Sequence, residues 1–431
     1  MYTRSTMTIT ARSEATEKAA RARAASRRMG AVTTDMKNDA LRRIADALDA
    51  ATAEILAVNG PELVRARANG VTGSFLDRME LTPERIAAIA RDVRAVAALP
   101  DPIGRYDEFG TRPNGLQIGR MRVPLGVIGA IYESRPNVTV DIACICLKAG
   151  NAVVLRSGSD AHATSRVLAG IVAREAEAAG LPAGVVQFID ATDREEVGAL
   201  LSAHESIDLM VPRGGADLIR RVRDEATMPV VAGGIGVCHT FVDADADLEM
   251  ATRIAIDAKV IRPSVCNAMD TLLVHAAAAE RFVPMVAGAL CARGVTLHVD
   301  ERAARLVEGV DGTSSVPVTP DDYDREWLSL DCSLHVVGSF DDALTHIELH
   351  GSGHSEAIVT ESWSAAQRFV REVDAAGVFV NASTYFHDGG QFGLGVEVGI
   401  STQKMHARGP LGLRELTSYK WVVLGDGQTR G

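Results

Sequence analysis

Residues 123–156 read VPLGVIGAIYESRPNVTVDIACICLKAGNAVVLR, and the reading of this stretch decides the fold. It holds two short runs rich in β-branched residues, 127–132 and 152–156, and between them apolar residues crowd from 140 to 147 and stop at Gly150. A strand, a helix closed by a glycine and a second strand make the repeating unit of a parallel sheet. Both runs are apolar at nearly every position, as strands covered by helices on both faces must be. Downstream, VVQFID (185–190), IDLMV (207–211) and PVVAG (229–233) continue the series, with a helix predicted over 161–179. Past Gly234 a second series follows: HTFVD, TLLVH, SLHVVGSF, EAIVT and GVFVN, separated by helical segments. The fold class is therefore α/β, with two domains built on parallel sheets.

Upstream, the first hundred residues read as helices, with one stripe at Leu41, Ile44, Ala45 and Leu48 and another at Ile55, Leu56, Leu63 and Val64. Residues 111–123 alternate like a strand, and the tail 406–423 is expected to pair with its counterpart in another subunit. These readings assign 1–110 and 124–233 to the first domain, 234–404 to the second, and 111–123 with 405–431 to a small bridging element.

The chain has 431 residues, 47% of them hydrophobic and 23% charged, so it can bury a large core and is not a disordered protein. A net charge of -11 without a basic stripe argues against nucleic-acid or membrane-surface partners. No run of eighteen apolar residues occurs, and residues 1–30 lack the apolar core of a signal peptide. Six cysteines without a CxxC pair fit reduced thiols in a cytoplasm. Small metabolites are the expected ligands.

Five of the cysteines, 144, 146, 238, 291 and 332, lie in apolar runs and read as small buried hydrophobes. Cys266 differs. It follows Lys259-Val-Ile-Arg262-Pro-Ser-Val in a polar loop, where two cations would favour a thiolate; a loop cysteine without a role is the alternative. No GxGxxG turn is present, so the common dinucleotide fingerprint is absent. Gly126–Gly129, the strand end at Arg156-Ser-Gly158 and Gly214-Gly215 before a helix at 216 could hold a dinucleotide, or be ordinary turns. His346, His350 and His354 recur every four residues; they suggest either a metal site or a polar substrate loop. Gly351 and Gly353 end the helix before His354, and Glu348 is misplaced for HExxH, which favours the loop.

In this order and spacing, VPLGVIGAIYESRPN, AGNAVVLR, Gly214-Gly215, Gly233-Gly234 and Cys266 resemble the landmarks of the aldehyde dehydrogenase superfamily. The segment from Val337 to Ile358, with its three histidines, and the tail FGLGVEVGISTQKMHARGPLGL resemble the γ-glutamyl phosphate reductase family within it. The resemblance implies an aldehyde dehydrogenase-like fold and the NADPH-dependent reduction of L-glutamyl 5-phosphate to glutamate 5-semialdehyde in proline biosynthesis. It also implies a homo-oligomer and possible coupling to glutamate 5-kinase. By position Cys266 matches the nucleophile and Arg135 the oxyanion residue. Ser134, Arg156, Ser157, Ser159, Gly214, Gly215 and Glu326 match cofactor positions, Glu326 at the nicotinamide ribose. Arg262, His350, Ser352 and His354 are the expected substrate contacts, and no metal is expected. Where oxidising members carry the glutamate that activates water, this chain has Val231. Three rivals are a hydrolytic aldehyde dehydrogenase, a metal-dependent alcohol dehydrogenase and a silent NADP-binding protein.

Overall fold

The structure is a computed structural model and describes residues 13–430. Part of the N-terminal segment read for a signal peptide, residues 1–12, lies outside the described residues; Glu14–Met29 is a helix. The chain divides into two compact units, one comprising the described residues through Ala232 with 394–399 and those from Leu411 onward, the other 233–393 with 400–410. The sequence reading placed all of 234–404 in one domain, whereas here 394–399 and 400–410 belong to different units.

In the first unit a four-stranded parallel sheet runs Val186–Phe188, Ala152–Ser157, Val127–Tyr132, Leu209–Arg213. Val127–Tyr132, a central strand, is buried at every position, which is why its apolar run does not alternate. The stretch 229–233, expected as a strand, makes only an isolated bridge between Val230 and Met210. Pro229 has no N–H for a ladder, and Gly233 and Gly234 offer no side chains to pack. Around the sheet the helix Thr34–Ala50 buries Leu41, Ile44, Ala45 and Leu48 as its periodicity predicts. The next helix, Thr52–Ala68, departs from its expected stripe: Val64 is exposed, and Asn59 and Glu62 are buried instead. Glu62 accepts from the N–H of Ala163 (2.7 Å) and Thr164 (3.2 Å), capping the helix His162–Ala178, so a carboxylate is satisfied where apolar periodicity expects Leu or Val.

The same unit carries a three-stranded antiparallel sheet, Tyr106–Thr111, Gln117–Pro124 and Thr417–Leu424. The C-terminal strand thus pairs with Gln117–Pro124 of its own chain, from Thr417 opposite Pro124 to Leu424 opposite Gln117.

The second unit is built on a seven-stranded parallel sheet in the order Ser315–Pro317, Thr296–Val299, Asp331–Val337, Met269–His275, Cys238–Val242, Ser355–Val359, Gly377–Val380. Successive residues feed opposite faces: Leu272 and Val274 join one core cluster with Phe282, Val286 and Leu334, while Leu273 joins another with Phe241, Ile358 and Phe369. The strands at 296–299 and 315–317 escaped the sequence reading because so few residues carry no readable period. Asp247 starts the helix Leu248–Val260 by accepting from the N–H of Glu249 (2.9 Å) and Met250 (3.0 Å). Pro263 follows soon after the helix end and opens the loop that carries Cys266.

Candidate active site

Cys266 sits, half-exposed, in the loop between Leu248–Val260 and Met269–His275, as its sequence context predicts. Its backbone is fixed by close neighbours. A Cβ built on Gly236 would lie 1.6 Å from the Cys266 carbonyl oxygen, so only hydrogen fits there. The Cys238 thiol donates to the same carbonyl at 3.2 Å, and burial pushes that thiol's pKa well up, which keeps it a donor. The next residue, Asn267, donates from Nδ2 to the carbonyls of Tyr385 (3.2 Å) and His387 (3.1 Å).

Four successive backbone N–H groups beside this loop each find a different side chain. Gly236 donates to Glu326 Oε1 (3.1 Å), Val237 to Ser352 Oγ (2.9 Å), Cys238 to Asp270 Oδ2 (3.3 Å) and His239 to Glu356 Oε2 (3.0 Å). Segment 236–239 thereby gathers the loop of Cys266, the glutamate expected at the ribose, and Ser352 and Glu356 of the histidine segment. Asp270 also accepts from the N–H of Trp327 through Oδ1 (2.9 Å). Burial raises its pKa to about 7, with Lys259 and both N–H donors opposing the rise. Lys259, expected to bias Cys266 toward thiolate, is fully buried with Nζ 3.9 Å from Asp270 Oδ1. Its helix carries it into the core against this carboxylate; Arg262, beyond the helix end, is exposed.

In the histidine segment the helix ends at Gly351, as the sequence reading expects, and 351–354 form a short loop. Phe340–His350 is a helix and Ser355–Val359 a buried strand. His346 packs its ring among those of His239, His335, His350 and Tyr323, with centroids 4.6–5.4 Å away, and burial pushes its pKa down to about 2. His350 Nδ1 meets Asp324 at 2.7 Å. His354 is fully buried, its Nδ1 on Ser355 Oγ (2.7 Å), which also meets His387 Nδ1 (2.8 Å). One hydroxyl cannot donate to both rings, so at least one of the two imidazoles donates from Nδ1. Thus Ser352 and His354, expected at the substrate, are engaged by Val237 and Ser355; His354 is buried and Ser352 half-buried. Among the described residues no three His, Cys, Asp or Glu side chains are grouped to hold a metal ion.

The first unit holds a cleft of about 960 Å³ lined by Ser134, Arg156, Gly158, Ser159 and Arg221, among others. Ser134 has φ of 45°, a left-handed turn that lets the chain leave the strand Val127–Tyr132 at the cleft floor. Arg156 leaves the end of the neighbouring strand and donates to the Thr192 carbonyl (2.9 Å). Burial and then the neighbouring Arg221 cation lower its pKa, as expected for two cations converging where an anion would be welcome. Ser157 is a departure: alternation along the strand turns it from the cleft, and its hydroxyl meets His162 Nδ1 (3.2 Å). Gly214 and Gly215 sit against Glu133, whose carboxylate accepts from the Gly215 N–H (3.0 Å) at the start of the helix Ala216–Glu225. Arg135 lies in the turn ahead of the helix Asn137–Lys148. The sequence reading missed Gly236, Cys238 and Asp270; Gly236, two residues beyond Gly234, carried the one available signal.

One unit carries a cleft lined by cations and hydroxyls on a parallel sheet without GxGxxG, the other a half-exposed loop cysteine, and together these features define a class. The aldehyde dehydrogenase family model matches residues 4–302. A gamma-glutamyl phosphate reductase of Dehalococcoides mccartyi strain CBDB1 is 53% identical over 418 residues, covering 97% of this chain and 99% of that protein. One from Serratia marcescens is 49% identical over 409 residues, covering 95% and 98%. The solved structure of a gamma-glutamyl phosphate reductase from Thermotoga maritima matches with a TM-score of 0.93 at 45% identity, covering 97% of this chain and all of that one. The chain belongs to the aldehyde dehydrogenase family, in its gamma-glutamyl phosphate reductase branch.

Proposed function

We propose that the protein reduces L-glutamyl 5-phosphate to L-glutamate 5-semialdehyde with release of phosphate, using NADPH, with Cys266 as nucleophile. The observation that carries this reading is the meeting of Cys266 and Glu326 on one glycine, Gly236. The Cys266 thiolate attacks the acyl carbon, a C–S bond forms, the C–O bond to phosphorus breaks, and phosphate leaves. The Cys266 N–H would donate to the developing oxyanion, and Arg135 would supply a guanidinium for it or for the phosphate. Reduced nicotinamide, when bound, would supply the hydride, and Cys266 would hold the acyl group as a thioester and then as the thiohemiacetal anion. That anion collapses, the C–S bond breaks, and the aldehyde leaves with the thiolate restored. Val231 has no base to activate water, and phosphate release makes one unnecessary.

The first-unit cleft suits the cofactor: Arg156, Ser159 and Ser134 offer a cation and hydroxyls, and Glu326 serves the nicotinamide ribose. Arg262, exposed on the nucleophile loop, and His350 are the substrate contacts this reading retains. Six free cysteines support a reducing, cytoplasmic setting. Oligomerisation through the three-stranded sheet and coupling to a glutamate 5-kinase, which would spare a labile acyl phosphate from water, complete the proposal. The test runs the reaction backward: NADP reduction by glutamate semialdehyde must depend on inorganic phosphate. Phosphate-independent acid formation would mean a hydrolytic dehydrogenase.

A further inference from the structure

Asp270 lies four residues after Cys266, buried at the start of the strand Met269–His275. Its two carboxylate oxygens nonetheless serve both halves of the site. Oδ1 holds the N–H of Trp327, the residue after Glu326, at 2.9 Å; Oδ2 holds the N–H of Cys238 at 3.3 Å. Cys238 in turn donates its thiol to the Cys266 carbonyl, and two residues earlier Gly236 binds Glu326 and abuts Cys266. Two segments far apart in sequence, 236–238 and 326–327, are therefore tied through one carboxylate. Trp327 is supported further by the His298 ring at 4.1 Å and by Arg325 over its own ring at 4.9 Å.

From this geometry we infer that Asp270 is a positioning residue, a clamp that fixes Glu326 relative to Cys266 so that the cofactor ribose and the nucleophile are held in register. Both oxygens must accept, which a carboxylate does and an amide cannot. Lys259 stands on the Oδ1 side at 3.9 Å and makes no hydrogen bond among the described residues, so its charge balances the carboxylate without competing for the N–H donors. The inference rests on the assignment of Glu326 to the cofactor ribose.

Asp270→Asn is nearly isosteric, but it turns an NH2 toward one of the two N–H groups and strands the Lys259 charge in the core. The second effect could destabilise the unit by itself, so the decisive variant is Lys259→Met/Asp270→Asn, which removes both charges together. We expect the double variant to recover thermal stability lost by the single one while binding NADPH about tenfold more weakly or worse, the scale of a lost charge-assisted hydrogen bond. Binding is read by NADPH fluorescence without turnover, and the KM for NADPH should rise while that for the acyl phosphate stays within about twofold. A double variant that binds NADPH as the unvaried protein does would reduce Asp270 to a counter-ion for Lys259 and overturn the inference. Should the unvaried protein bind NADPH yet reduce no acyl phosphate, the proposed reaction fails while the binding comparison still decides the clamp.

Discussion

At Cys266 the physical argument turns on the backbone as much as the sulfur. A free loop thiol would be nucleophilic but unplaced; here its carbonyl is held by the Cys238 thiol and by the bare Cα of Gly236. Cys266→Ala is therefore expected to abolish reduction while NADPH binding and the melting temperature hold, and Cys144→Ala, in a buried helix, is the control. Retention of more than about a tenth of the rate, a barrier increase under roughly 1.4 kcal/mol, would exclude covalent catalysis by this residue. Gly236→Ala tests the placement. Its methyl must displace the Cys266 carbonyl, so kcat should fall sharply and stability should drop by about 1–3 kcal/mol, the usual cost of overpacking; unchanged kcat would show that the loop tolerates the shift. The polar, Pro-containing loop made Cys266 a candidate against a cysteine without a role, and the family resemblance matched it to the nucleophile. Sequence alone could not identify Gly236, Cys238 or Asp270, because their roles consist of contacts between segments separated by tens of residues.

Individual elements were legible where periodicity is strong. The strand Val127–Tyr132 and the helix Thr34–Ala50 match their patterns, since one is buried on every side and the other on a single stripe. The histidine segment was legible only in where its helix ends, because spacing shows which residues share a helix face but not what that face meets. Its burial has a consequence for pH. His387 is fully buried and its pKa is lowered to about 4 by burial, and His346 to about 2. Folded-state values below the ordinary histidine value mean stability present above pH ~6.5 and lost as pH falls toward 4, about 2 kcal/mol per histidine at pH 5. The melting temperature should drop between pH 7 and 5, and less steeply in His387→Gln; identical slopes would show that His387 is not held neutral. The strand Ala152–Ser157, which carries Arg156, gives a different expectation. With Ser159, rather than a carboxylate, three residues on, and with Arg221 nearby, Arg156→Ala should weaken NADPH much more than NADH, by about 1.5–3 kcal/mol. Equal losses for both cofactors would mean that Arg156 holds only the ribose.

For the molecule as a whole, the open question is how the antiparallel sheet is used. Sequence reading saw the alternation in 111–123 and expected the tail to meet its counterpart in another subunit; it did not foresee that Thr417–Leu424 also pairs with Gln117–Pro124 of its own chain. Register between distant strands is a tertiary fact that alternation alone leaves undetermined. That pairing satisfies one edge of Thr417–Leu424 and places the strand at the border of its sheet. Along it Tyr419, Trp421 and Val423 fall on one face, exposed by 45%, 59% and 53%. Arg120 lies over both the Tyr419 and Trp421 rings, 4.8 and 5.9 Å from their centroids. A border strand with aromatic residues in water invites another chain unless something covers it. The expected cover is a second copy of this sheet, so light scattering should report a multiple of the chain mass. Trp421→Glu with Val423→Glu, which sets like charges against each other across a symmetric contact, should lower that mass while leaving binding of the proposed cofactor, NADPH, intact. An unchanged mass for the double variant would place the subunit contact elsewhere and leave this face to another partner.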